Sequence, residues 1–407
     1  MNKNILKIII IPLSCLATSC SIFGPKGSSV VPSVSPSVSP SEEPSVTPSE
    51  EPSVEPSIEP SVEPSEEESE EHSHEHSISV SEVPGEKMSI NFLEFETRAT
   101  GDCTFIKAGD IDILIDAGSI QSSAKTIKNF VDQYCTDNKL EYVIATHAHK
   151  DHISGFVGTS NIPGIFDAYE IDTLIDFSLT NSTSNLYESY VNKRNAGLES
   201  NRIKNHYTAN ECVQELNGAQ KEYTITDSIK MTILDQKFYR NSSSDENNYS
   251  VCTLFTHNSN NHYLFTGDLE KEGEHSLVEL NELPHVQLFK GGHHGSATSN
   301  TDELLSIIQP EVVCICCCAG SDEYTKNVSN QFPTQAAINN IAKWTDQIFV
   351  TSLSINNETK EFGPMNGNIT FYSEKGYGYV VTGSNNSTIL KETDWFKSNR
   401  TWPEWYI

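Results

Sequence analysis

Four potential metal ligands, His147, His149, Asp151 and His152, stand within six positions in the run ATHAHKDHISG. Imidazole and carboxylate are the donors that borderline divalent ions such as zinc prefer. His147 and His149 can grip one ion, and Asp151 and His152, turned by the loop, can grip a second. Chance histidines in a polar turn would need no partners, but three other motifs supply them. ILIDAG puts Asp116 at a strand end, where a carboxylate can hold a ligand histidine through its other ring nitrogen. HYLFTGDLE puts Asp268 after another strand, where it can bridge two ions, and LFKGGHHGSATSN supplies His293 and His294. An Asp after a strand is more often a turn or cap residue. Donors at successive strand ends together predict a shared metal centre.

The elements that must position these groups alternate. SINFLEFE, CTFIKAG, IDILIDAG, EYVIAT, KMTILD, YSVCTLFT and HYLFTGD read as strands, the last two joined as a hairpin between His257 and His262. HVQLFK, EVVCICCC, QIFVTS, NITFY and YGYVV continue the series. Ala124, Ile127, Phe130 and Val131 fall at helical spacing within Ser122 to Tyr134, and TDELLSII and QAAINNIAKW are further helices. Asn185 to Arg202 is predicted helical, as a lid or insertion. Strand clusters separated by single helices predict a layered α/β body, sheets inside and helices outside.

With those residues in place, the chain resembles the metallo-β-lactamase superfamily and its ComEC/Rec2-like branch. The signatures are GDCTFIK, ILIDAG, THAHKDHISG, NNYSVCTLF, LFTGDLE and KGGHHGS, between about Asn91 and Asn300. It is similar, too, to a phosphorylcholine esterase of bacterial surfaces. The resemblance implies a four-layer αββα sandwich, two divalent ions (zinc, with manganese as the alternative) and hydrolysis through a metal-bound hydroxide. It implies that His147 and His149 bind the first ion, Asp151 and His152 the second, that Asp268 bridges and that His293 completes the second site. Asp151 would help hold the nucleophile, while His294, Lys290 and Ser296 would face the substrate. Lys290 would balance phosphoryl charge, and His294 would hydrogen-bond a phosphoryl oxygen or protonate the leaving group. One departure is the run NNYS, which puts Asn247 or Asn248 where many members have a histidine. His206 lies far from that place and reads as a surface residue.

The ends of the chain are of another character. Lys3 and Lys7 precede an apolar run, Ile8 to Leu16, with the length of a signal-peptide core. Ala17-Thr18-Ser19-Cys20 follows and resembles a bacterial lipoprotein processing site with Cys20 acylated. Residues 1–20 are therefore expected to be a signal peptide and residues 21–87 a disordered acidic linker of Pro, Ser, Val and Glu repeats. The hydrolase domain is expected over 88–383, with a Trp-rich tail over 384–407. The tract EHSHEHS, with His72, His74 and His76, would suit metal scavenging, or is a chance feature of the linker. About half of the net charge of −29 lies in the linker, and the acidic remainder disfavours nucleic acid as a partner. The ten cysteines have no paired metal-ligand spacing and read as small core residues.

These readings predict an extracytoplasmic, membrane-anchored metal-dependent hydrolase acting on a small-molecule or polymer phosphodiester. A lactonase or thioester hydrolase with the same metals, or a non-catalytic metal-binding module, are the alternatives. Oligomeric state is not written in the sequence.

Overall fold

The computed structural model describes residues 86–374 and 378–404. The signal segment, Cys20, the linker and its histidines lie outside the described residues. Among the described residues sixteen strands run in chain order: β1 (Lys87–Phe92), β2 (Thr104–Ala108), β3 (Ile111–Ile115), β4 (Lys139–Ile144), β5 (Glu170–Asp176), β6 (Ile203–Thr208), β7 (Glu222–Thr224), β8 (Ile229–Leu234), β9 (Cys252–His257), β10 (Asn261–Phe265), β11 (Leu288–Lys290), β12 (Val312–Ala319), β13 (Ile348–Asn356), β14 (Glu361–Pro364), β15 (Ile369–Glu374) and β16 (Tyr379–Gly383). They form two sheets of eight, ordered β16-β15-β1-β2-β3-β4-β5-β6 and β14-β13-β12-β11-β10-β9-β8-β7. Each sheet has an antiparallel part and a parallel part. β3 to β6 are parallel in the first sheet, and β10 to β13 in the second.

The sheets pack face to face. Phe92 of β1 stacks on Phe265 of β10, and Tyr263 meets Phe371 edge to face. Helices α1 (Ser123–Val131), α2 (Lys150–Val157), α3 (Ile165–Ala168) and α4 (Asn185–Glu199) pack against one another over the first sheet, with α5 (Ala209–Gln214) near its last strand. Helices α6 (Lys271–Leu280), α7 (Asp302–Ile308) and α8 (Gln335–Ile341) cover the second. Strand β12 is buried along its whole length, as expected for a parallel strand with both faces covered. Its cysteines, like the other described ones, are free and buried. This is the expected αββα sandwich. No helix among the described residues is long and apolar enough to cross a membrane.

Two expectations change, and the packing of the C-terminal residues is added. The 185–202 segment is no lid: α4 packs on α2, α3 and β6 as part of the outer helical layer. Residues 384–404, read from the sequence only as a Trp-rich tail, pack on the domain. Helix α9 (Asp394–Asn399) and the turn before it bury Leu390 and Phe396 in the second core. His206 is half-buried rather than at the surface, because its Nε2 lies 2.8 Å from the buried Asp176 carboxylate, which also pairs with Arg194.

Candidate metal centre

The parallel strands of both sheets end at the same edge, where carboxyl ends of strands present loops that can carry ligands. β3 leads to Asp116, β4 to the histidine loop, β10 to Asp268, and β11 to His293 and His294. The loops are stitched by backbone hydrogen bonds. Asp102 N donates to Asp151 O (3.0 Å), Gly118 N to Asp102 O (2.8 Å) and Ala117 N to His152 O (2.7 Å). A Cβ on Gly118 would sit 1.6 Å from Asp151 O, so ILIDAG must end in glycine. His149 ends the loop as the residue before α2, which places Asp151 and His152 in that helix's first turn.

The donors converge. His152 Nε2 and His294 Nε2 lie 3.0 and 3.2 Å from Asp268 Oδ2, and His294 Nε2 is 3.6 Å from Asp151 Oδ2. His147 Nε2 faces His149 Nδ1 at 3.0 Å, and its ring centroid is 4.1 Å from that of His152. Outer nitrogens are held from behind. His152 Nδ1 is 2.8 Å from Asp116 Oδ2, and Asp116 is itself fixed by Thr146 N and Oγ1, both at 2.8 Å. His294 Nδ1 is 2.8 Å from the Cys316 carbonyl, which places a proton on Nδ1 and leaves Nε2 as the nitrogen that faces the carboxylates.

His293 and His294 exchange their expected places. His294 is buried and aims Nε2 at the carboxylates, whereas His293 is partly exposed, with Nε2 3.9 Å from Asp268 Oδ2. Both adopt left-handed backbone (φ 48° and 54°), which turns consecutive side chains to different places. Lys290 also departs from expectation. It lies beneath the donors, 2.5 Å from Asp102, and does not reach the cavity. Ser296 faces Thr298 at 3.0 Å rather than the cavity. Asn247 and Asn248 are both buried. They bond Glu270, through its Oε1 (3.2 Å) and its backbone N (3.3 Å) respectively.

Sequence reasoning passed over four residues. Asp102, within GDCTFIK, sits behind both ligand histidines, 3.8 Å from His152 Nδ1 and 3.4 Å from His294 Nδ1. Its signal was a carboxylate just before a buried strand. Glu270 follows Asp268 in LFTGDLE and lies 3.4 Å from His293 Nδ1. Tyr324 and Phe332 line a cavity of about 260 Å³ with His149, Lys150, Asp151, Asp268, His293 and His294. Nothing in their local sequence marks them, since they come from the long loop after β12.

The carboxylates and imidazoles of the cluster shift one another's charge. Burial opposes charge on Asp268, but His152, His294 and His293 hold its carboxyl well below the usual range. Burial likewise opposes charge on Asp102, where Lys290 and then His294 lower it. Burial also resists charge on His152 and His294, yet Asp268, with Asp116 for the first and Asp102 for the second, holds both well above the usual histidine range. Burial pushes His147 well down, and His152 adds to this. A divalent cation among these donors would take over the balancing of the carboxylates and leave the imidazoles neutral. Asp268 Oδ1 and His294 Nε2 are buried with no hydrogen-bond partner among the described residues. One donor atom each from Asp102, His152, Asp268 and His294 lies within 4.8 Å of the others. Since Asp102 faces outer ring nitrogens and pairs with Lys290, we assign the cation to the side of Asp268 and Asp151. The residues present fit a divalent metal.

The model of the metallo-beta-lactamase superfamily matches residues 97–164, which carry Asp102, Asp116 and the histidine loop. ComE operon protein 3 of Bacillus subtilis is 36% identical over 70 residues, 17% of this chain and 9% of that protein. The chain therefore spans under a tenth of that relative. Among solved structures, the metallo-beta-lactamase fold protein YhfI from Bacillus subtilis aligns at 10% identity and a TM-score of 0.38, over 65% of this chain and 96% of that one. A metallo-β-lactamase with a HARLDQ motif from Cronobacter sakazakii aligns at 11% identity and a TM-score of 0.29, over 49% and 73%. Two mixed eight-stranded sheets between helical layers, with buried His and Asp donors gathered where the parallel strands end, give this chain the metallo-β-lactamase fold and a cluster suited to divalent metal.

Proposed function

We propose that this protein is a metal-dependent hydrolase of phosphodiester bonds, held outside the cytoplasm by acylation at Cys20. The observation that carries the reading is the cavity whose floor is Asp151, Asp268, His293 and His294 and whose wall includes Lys150. His152, Asp151, Asp268 and His294, with His147 and His149 beside them, would hold the divalent ions. Such ions make water a ready nucleophile near neutral pH and take up charge on the scissile group.

The chain's own residues do the rest. His293 opens on the cavity while its Nδ1 is steadied by Thr298 Oγ1 (3.2 Å) and Glu270 (3.4 Å), so that in the doubly protonated ring Nε2 can give its proton to the leaving oxygen. Burial opposes charge on Glu270, but His293 and Thr298 hold it down at about 2, so it stays anionic behind the ring. Tyr324 OH donates to Asp151 Oδ2 at 2.5 Å and fixes that carboxylate. Lys150, rather than Lys290, supplies a cation at the wall for an anionic substrate.

The apolar faces of Tyr324 and Phe332 favour a second reading, hydrolysis of an acyl-lactone or thioester. The full chain, supplied with zinc or manganese, is tested on bis-p-nitrophenyl phosphate, p-nitrophenylphosphorylcholine, single-stranded DNA and an acyl-lactone. Turnover of a phosphodiester that chelation abolishes supports the proposal. Turnover of the lactone alone moves it to the second reading, and metal binding without turnover leaves a binding module. Release of a Cys20→Ala chain from the membrane fraction checks the anchor; unchanged fractionation overturns it.

A further inference from the structure

The C-terminal segment meets the loop beside the candidate site through Arg400. Arg400 is buried, and its fork donates to three carbonyls of the loop between β12 and α8: Nε to Pro333 O (3.0 Å), and Nη2 to Gln331 O (2.7 Å) and Val328 O (3.2 Å). Nη1 closes on Asn399 O at 2.8 Å, and the guanidinium lies 4.9 Å from the ring centroid of Trp395. Among the described residues no carboxylate pairs with it. A buried guanidinium satisfied by carbonyls and an aromatic face is a geometric fastener, since its planar donors accept only one arrangement of the backbone they meet.

What it fastens is Phe332. That ring lines the cavity, 5.9 Å from the ring centroids of both His293 and His294 and 5.6 Å from that of Tyr324. The backbone on either side is also held, by Gly320 N to Phe332 O (2.8 Å) and Thr334 N to Gly295 O (2.9 Å). The far end of the same loop is tied by Asp322, which pairs with Arg98, and by Glu323, which accepts from Thr100 N (2.8 Å) and from Lys150 Nζ (3.0 Å). The loop is therefore anchored at both ends, with its two aromatic rings facing the site.

We propose that Phe332 is a specificity-determining residue, the apolar wall against which the substrate's organic group lies, and that Arg400 is a positioning residue acting through it. The first half rests on the hydrolase reading above; the second rests on the loop alone. The C-terminal segment is thus part of the site's construction.

The test uses the full metal-loaded chain with Phe332→Ala, Arg400→Met, Arg400→Lys and the Phe332→Ala/Arg400→Met double variant. Phe332→Ala is expected to raise KM for the best substrate of the panel roughly tenfold, with kcat within about twofold. Arg400→Met should reproduce that split, and Arg400→Lys should return KM part of the way. The double variant should show about the same tenfold change rather than a hundredfold one, because both substitutions remove one arrangement. Hydrogen exchange in residues 328–334 should quicken in Arg400→Met while bound metal per chain is unchanged. Multiplying KM effects, or unchanged exchange in that segment, would overturn the proposal. If the wild-type chain turns over nothing, the hydrolase reading fails and exchange alone decides whether Arg400 holds the loop.

Discussion

Asp102 and Lys290 form an ion pair of 2.5 Å beneath the donor cluster, with both side chains almost wholly buried. The pair joins GDCTFIK in the first sheet to LFKGGHHGS in the second, and Lys290 Nζ also lies 3.9 Å from Asp268 Oδ1. It acts as a fixed internal cation, since burial opposes its charge but Asp102 and Asp268 hold the ammonium above its usual range.

Removing that cation should therefore cost stability before it costs chemistry. Lys290→Met leaves Asp102 charged and buried without its partner, a change worth about 3–5 kcal/mol. Urea unfolding of the chelated chain measures it. The Asp102→Asn/Lys290→Met pair should recover much of the loss. A Lys290→Met chain as stable as wild type, with turnover reduced, would return Lys290 to the role of a substrate-facing cation.

The two neighbouring histidines should separate cleanly. His294→Ala removes a buried Nε2 aimed at Asp268 and Asp151 and should lower the metal retained per chain after dialysis. His293→Ala should keep its metal and lose turnover by ~10²–10⁴-fold, as expected on removing a proton donor. Metal analysis beside kcat on each variant decides between them. Loss of metal from His293→Ala, with His294→Ala unaffected, would reverse the assignment.

The thiols set a limit at high pH. Burial raises Cys135 and Cys212, each to about 11, with nearby Asp112 adding to the rise of the first. An unfolded thiol loses its proton near about 8.5. Between that value and about 11 the folded chain therefore binds more protons than the unfolded one, and stability falls as pH rises. Both thiols are uncharged and buried at pH ~8, so slow reaction with a thiol reagent is expected there, becoming fast in denaturant. Rapid labelling of either residue in the folded chain at pH ~8 would contradict this.

The strongly patterned parts of the fold were readable. Helix α1 and strands β3, β4, β9, β10 and β12 bury continuous or periodic apolar positions, and such patterns follow from local chemistry. Strands β5 and β6 were missed because EIDTLID and IKNHYT carry polar side chains on a partly exposed part of the sheet. Their pairing with β4 makes them strands, and pairing is not a local property.

The site divides in the same way. The order of residue types along the chain was enough to collect His147, His149, Asp151, His152, Asp268 and the His293–His294 pair, because a metal needs particular donors and donors are residue types. Direction was beyond it. Which of two adjacent histidines turns inward follows from two left-handed backbone angles and the Cys316 carbonyl; Lys290 faces Asp102 because the two sheets close there. Tyr324, Phe332 and Arg400 join the site only because a loop and a distant C-terminal helix are packed on it, and contacts across such separations exist only once the chain has folded.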